Sequence, residues 1–300
     1  MKRVLVHAGY PKAASTTLQN GLFLQLHRKN AIHFLGRAFE SRYYGAKANK
    51  REFKNWFKAV TKNGGAGDSL GPLSDSVLNL LSEGLFMMNE RHSDAIATPK
   101  QLRDYFASKA DRLEVLLILR AQATLIPSYY VQNYRRMTQK ALSDFIAFHA
   151  QQNWAGEGKI FNLHDVTRAY VDVLGKDNVH VALFEDLASN KDAFASALAS
   201  AMDLPVNLIQ DNLGASHLNQ TKNDGGVVLV KKHNKGSLRH IAIQALKMVS
   251  VGAADSLRLK LPVVSAAEQQ AIFDSFKDSN LKLAEEFSLD KTRMRQYRYF

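Results

Sequence analysis

Between Glu114 and Arg120 the chain reads Val-Leu-Leu-Ile-Leu, apolar at every position. A strand with one wet face alternates polar and apolar residues. An unbroken run instead predicts a strand covered on both faces, as in a parallel sheet lying between helices. Comparable short runs occur at Val4–Ala8, Ile32–Leu35, Val77–Leu81 and Val179–Phe184. Helix-patterned stretches separate them; in Ser15–His27, residues Leu18, Leu22 and Leu26 form one stripe. Strands separated by helices are the mark of βαβ units. The expected fold class is α/β, with a central parallel sheet flanked by helices.

The chain has 300 residues and 46% hydrophobic content, enough for a sizeable core. One domain is expected over 1–300, with a core over about 1–220 and a helical C-terminal addition over about 227–300. Two late helices are anticipated, a basic amphipathic one over Val228–Val251 and a more acidic one over Ala266–Phe287. Asn63–Gly71 and Leu213–Gly226 read as loops by composition.

Lys+Arg exceed Asp+Glu by 40 to 28, a formal net charge of +12. So basic a balance points to an anionic partner without choosing among nucleotide, acidic glycan, nucleic acid and membrane surface. The absence of cysteine removes thiolate nucleophiles, disulfides, iron–sulfur clusters and Cys-based zinc sites. The apolar run after Lys2 and Arg3 is too short for a signal segment, and no window reaches about 18 apolar residues. A soluble, cytoplasmic protein is therefore expected.

The most informative motif is His7-Ala-Gly9-Tyr-Pro11-Lys12-Ala13-Ala14-Ser15-Thr16-Thr17-Leu-Gln19. A strand feeds a turn that holds a lysine and hydroxyls, and then a helix begins. Helix starts carry unpaired N–H groups and a partial positive charge, so this is an anion-binding arrangement. It is not the Walker A pattern, because Pro11 precedes the lysine and Ala13 and Ala14 follow it. Read alone, it is also compatible with an ordinary helix start carrying a surface lysine. The second motif is Leu119-Arg120-Ala-Gln122, followed by Pro127-Ser128-Tyr129. Arg120 stands at the C-terminal end of a buried strand, where open α/β sheets bind ligands. Ser128 after Pro127 reads as a helix start offering a hydroxyl and an N–H. Alone, this motif reads rather as a structural Arg paired with an acid and a plain Ser N-cap.

Together the two motifs resemble the 5′-phosphosulfate loop and the 3′-phosphate motif of sulfotransferases, most closely the bacterial carbohydrate-type members. The resemblance covers about residues 3–220. It implies a P-loop-like three-layer fold that binds 3′-phosphoadenosine 5′-phosphosulfate (PAPS), releases 3′,5′-adenosine bisphosphate (PAP) and needs no metal. By resemblance, Lys12 would reach the bridging oxygen and the sulfate, with Ser15, Thr16 and Thr17 as loop hydroxyls. Arg120 and Ser128 would hold the 3′-phosphate. Two departures stand out: Ala13 and Ala14 replace the family's Thr and Gly, and Gln122 replaces a common Pro. A Cβ at position 14 restricts φ and the approach of the backbone to an anion.

An acceptor hydroxyl must lose its proton, and a carboxylate or histidine can take it. Glu83, after the third strand, is the chosen base, with His92 and His7 as alternatives; His7 reads more as a loop-positioning residue. Glu185-Asp186 reads as structural, because adjacent carboxylates diverge and helix-start acids suit the dipole. His217–Lys222 and Lys231–Lys235 are candidates to close the nucleotide pocket. The expected activity is transfer of the sulfuryl group of PAPS to a hydroxyl of a carbohydrate or glycolipid. The rival readings are a nucleotide or sugar kinase with an atypical phosphate loop, and a basic nucleic-acid-binding protein. Nucleic acid is not the expected partner, since no recognition signature for it is present.

Overall fold

The structure is a computed structural model, which describes residues 1–36, 72–83, 95–133, 141–213, 223–224, 227–231, 258–262 and 264–300. Its centre is a sheet of five parallel strands: β1 (Arg3–Ala8), β2 (Ile32–Gly36), β3 (Leu78–Glu83), β4 (Arg112–Leu119) and β5 (Val179–Leu183), in the order β2-β3-β1-β4-β5. Helices flank it, giving the α/β, P-loop-like three-layer architecture. Val115 to Leu119 are all fully buried, as a two-sided strand requires. Because every strand is parallel, their C-terminal ends share one edge. The chain turns from β1 to one side of the sheet and later returns to the other as β4. The strand order reverses at β1 and β4, and open α/β sheets bind ligands outside the strand ends at such a point.

After β1 comes one continuous helical run: α1 (Ser15–Leu18), a π turn (Gln19–Phe23) and α2 (Leu24–Arg28). The expected stripe holds, with Leu18, Leu22 and Leu26 all buried. The wider π turn also brings Phe23 inward, edge-on to His7 at 5.5 Å and to Phe34 at 5.6 Å.

The remaining α-helices among the described residues are α3 (Thr98–Phe106), α4 (Gln122–Asn133), α5 (Leu142–Gln151), α6 (Leu163–Leu174), α7 (Asp186–Ser189), α8 (Lys191–Met202), α9 (Val206–Leu213), α10 (Ala266–Glu286) and α11 (Lys291–Gln296). The acidic late helix thus appears as expected. It opens with a capping box in which Ser265 and Glu268 satisfy each other's backbone N–H. The basic helix expected over Val228–Val251 does not begin as one. Val227–Lys231 is strand β7, pairing antiparallel with β6 (Asn223–Asp224) and β8 (Arg258–Pro262). The β-branched residues Val227, Val228 and Val230 explain this, since such side chains lose rotamer freedom in a helix and fit a pleated surface. Residues 232–257 and the loop Asn63–Gly71 lie outside the described residues.

The sheet's opposite edge is a structural anchor. Buried Glu114 accepts from Arg3 and from His180 at 3.0 Å, and it forms an ion pair with Arg112 at 3.1 Å. Arg3 also donates to the carbonyls of Ala201 and Met202, which end α8. Burial pushes the Glu114 pKa up, but the His180 and Arg3 hydrogen bonds and the Arg3 and Arg112 charges outweigh it. The carboxyl is held below its ordinary value.

Candidate functional site

The β1–α1 loop is bent in a way its residues resist. Lys12 has φ 63° and Ala14 has φ 58°, both left-handed, and neither is glycine. Ala14 is the N-cap of α1, and no side chain caps the helix there. The first-turn N–H groups are therefore left for another acceptor. The Ser15 hydroxyl is buried with no partner among the described residues. An uncapped helix start beside an orphaned buried hydroxyl and a lysine suits the chemistry of a phosphate or sulfate. Lys12 is exposed, yet partial desolvation and then the Arg120 charge lower its pKa.

Arg120 follows directly on β4 and joins the two sequence motifs in space. Its Nη1 donates to the Lys12 carbonyl at 2.7 Å, and its Nε donates to Thr124 Oγ1 at 2.9 Å. The guanidinium also lies over the Phe184 ring, 4.7 Å from its centroid. Thr124 Oγ1 donates in turn to the Ala121 carbonyl. Desolvation lowers the Arg120 pKa, while Glu185 and Tyr299 act in the opposite direction.

The place of Ser128 needs a correction. Helix α4 starts at Gln122, where Thr124 and Leu125 N–H already donate to the Ala121 carbonyl, and Pro127 lies inside it. Ser128 is therefore mid-helix and offers no helix-start N–H. It remains on the Arg120 side, because Thr124 and Ser128 stand four residues apart on one helical face. The helix start belongs to the residues just after Arg120. Thr124 is the site residue that sequence reading missed; its signal was the four-residue spacing from both Arg120 and Ser128.

Glu83 is the last residue of β3, in parallel register with Ala8, the last residue of β1. Expected after the strand, it is part of it, because the ladder with β1 runs through Ser82 and Glu83. Its backbone therefore stands beside the start of the Lys12 loop. His92 and His217–Lys222 lie outside the described residues, and of Lys231–Lys235 only Lys231, which ends β7, lies within them.

His7 is fully buried behind the loop. Its Nδ1 lies 2.7 Å from Ser82 Oγ, and Gln19 Nε2 lies 2.9 Å from that same oxygen. The Gln19 amide nitrogen only donates, so Ser82 Oγ accepts from Gln19. His7 Nε2 has no partner among the described residues. Burial lowers the His7 pKa to about 4. A neutral core histidine bonded to the strand that carries Glu83 is a positioning element.

The two adjacent acids diverge, as expected. Glu185 accepts from the Ala121 N–H at 3.0 Å and from the Tyr299 hydroxyl at 2.9 Å, and burial raises its pKa. Asp186 accepts from Arg293 at 2.7 Å and Tyr297 at 2.8 Å. Both carboxylates thus fasten the C-terminal segment to the ligand edge of the sheet. Gln122 has a structural role too. Its buried amide exchanges two hydrogen bonds with Asn280 on α10, of 3.0 and 2.9 Å, and its Nε2 also donates to the Phe161 carbonyl.

No family model matches the chain, and no curated protein matches it. Among solved structures, it is similar to a sulfotransferase from Alicyclobacillus acidocaldarius, with a TM-score of 0.43 and 12% identity over 86% of this chain and 96% of that one. It is also similar to the sulfotransferase domain from the curacin biosynthetic pathway, with a TM-score of 0.40 and 11% identity over 96% and 98%. Likeness at this level assigns neither family nor activity. Among the described residues no helix is long and apolar enough to cross a membrane.

Proposed function

We propose that the chain is a PAPS-dependent sulfotransferase of the bacterial carbohydrate type, a single cytoplasmic domain that moves the sulfuryl group to a hydroxyl of a carbohydrate or glycolipid. The observation that carries this reading is the bond from Arg120 to the Lys12 carbonyl. It joins two separately recognised nucleotide motifs at the edge where α/β sheets bind ligands. Beside it, the uncapped start of α1 and the orphaned Ser15 hydroxyl fit a tetrahedral anion.

PAPS, as co-substrate, supplies a sulfur bonded to a good leaving oxygen. The acceptor oxygen attacks that sulfur in line as the bond to the 5′-phosphate oxygen breaks, and PAP departs. Lys12 meets the negative charge growing on the departing oxygen. Ser15, Thr16 and Thr17, with the first-turn N–H groups, donate to the phosphosulfate oxygens. Arg120 and Ser128 hold the 3′-phosphate, with Thr124 setting the angle of the guanidinium. Glu83 takes the acceptor's proton as the new O–S bond forms.

The test is thermal stabilisation by PAP, by ATP with Mg²⁺ and by an oligonucleotide, followed by transfer from labelled PAPS to a glycan and glycolipid panel. Metal-independent stabilisation by PAP is expected, about 2.7 kcal/mol at 100 times its Kd. Stabilisation by ATP–Mg²⁺ alone would favour a kinase, and by the oligonucleotide alone a nucleic-acid-binding protein.

A further inference from the structure

Arg120 is tied into the protein more closely than a residue that only awaits a phosphate. Its Nε and Nη1 are both engaged, with Thr124 and with Lys12, and its face rests on Phe184. The Lys12 carbonyl that it holds belongs to the same peptide unit as the Ala13 N–H, which donates to the Tyr10 carbonyl at 3.2 Å. That one peptide plane is thus pinned from both ends. Left-handed Lys12 borders it on one side, and left-handed Ala14 stands one residue beyond it on the other. Neither is glycine, so the loop adopts this shape reluctantly and needs a tie from outside. The plane's direction sets the N–H groups that follow, at Ala14 and Ser15, where α1 starts without a side-chain cap.

We propose that Arg120 is a positioning residue for the 10–15 loop, so that one side chain both meets the 3′-phosphate and shapes the cradle for the 5′ group. This rests on the nucleotide reading above. It predicts that damage to the Arg120 fork weakens ligands carrying no 3′-phosphate at all. Were Arg120 only a 3′-phosphate ligand, such molecules would not register the change.

The experiment is calorimetric titration of the full chain with adenosine 5′-phosphate and with PAP, for the wild type, Arg120→Lys and Thr124→Val. Lysine keeps the charge but loses the fork, which separates shape from long-range attraction. Arg120→Lys is expected to weaken adenosine 5′-phosphate about five- to tenfold, the scale of one lost hydrogen bond, and PAP by at least as much. Thr124→Val, which keeps the arginine and frees its Nε, is expected to weaken adenosine 5′-phosphate about twofold, and it serves if Arg120→Lys does not fold. A second readout needs no ligand: amide exchange at Ala13 should quicken at least fivefold in Arg120→Lys. Unchanged adenosine 5′-phosphate affinity with weakened PAP, or unchanged exchange at Ala13, overturns the proposal. A wild type that binds neither nucleotide, with Ala13 exchange still dependent on Arg120, refutes the nucleotide reading and leaves the loop tie standing.

Discussion

Ala13 and Ala14 are adjacent and chemically identical, yet replacing each by glycine should move stability in opposite directions. Ala14 sits at φ 58°, whereas Ala13 is not among the positive-φ residues and is fully buried. A left-handed residue bearing a Cβ costs about 1–2 kcal/mol, which Ala14→Gly relieves. Against this, glycine's extra freedom in the unfolded chain takes back about 0.4–1 kcal/mol. The half-buried Ala14 methyl contributes a further loss of about 0.4 kcal/mol. The net is a stabilisation of about 0.5 kcal/mol. Ala13→Gly has no strain to relieve; it loses about 0.8 kcal/mol of methyl burial and about 0.7 kcal/mol of chain entropy. The two variants should therefore differ by about 2 kcal/mol. With an unfolding entropy of about 2.1 cal/mol/K per residue, that separates their melting temperatures by about 3 °C. Urea denaturation and thermal melting of the wild type and both variants make the assay. If Ala14→Gly destabilises the protein as much as Ala13→Gly, the left-handed strain is not there.

Lys12→Ala should lower kcat strongly while changing PAP affinity less, because its charge opposes charge that develops only in the transition state; steady-state kinetics beside calorimetry show the split. Glu83→Gln should lower kcat by about 10²–10⁴ and leave PAP binding near wild type; near-normal turnover would move the base elsewhere, with His92 next. His7 has a folded pKa of about 4 against about 6.5 unfolded. Its stabilising effect is thus complete above pH 6.5 and is lost as pH falls towards 4, by about 3 kcal/mol in all. His7→Gln should remove that slope from a series of urea melts. Glu114, with a depressed pKa, contributes stability above the ordinary glutamate range and loses it as pH falls below about 4. Glu114→Gln should flatten the acid limb of the same curves.

The sheet was legible because it is built from local pattern. Short β-branched and apolar runs such as Val115–Leu119, bounded by polar residues, suit strands buried on both sides, and all five expected strands are present. Arg120 was legible for the same reason, standing where such a strand ends. The place of Ser128 was not, because Pro127 favours a first helical turn, while the carbonyl of Ala121 had already nucleated the helix a turn and a half earlier. Val227–Lys231 misled because charges just beyond it imitate a helix face, whereas β-branching decides the backbone locally. The bonds of His7 to Ser82, Arg120 to Lys12 and Tyr299 to Glu185 span 75, 108 and 114 residues. No local pattern encodes such pairs; they follow only once the strand order is known.

The reciprocal amide pair of Gln122 and Asn280 has a consequence for inheritance. The Asn280 Nδ2 also donates to the Tyr299 carbonyl, so the pair links α4, the segment ending at Phe161, α10 and the last residues of the chain. A lineage that exchanged Gln122 for proline would remove both Gln122 bonds from the wholly buried Asn280 amide and leave the one to the Tyr299 carbonyl, at about 1–3 kcal/mol. The two positions should therefore drift together, with proline at 122 accompanied by an apolar residue at 280. Single replacements on either side would be filtered out, and the paired change would survive.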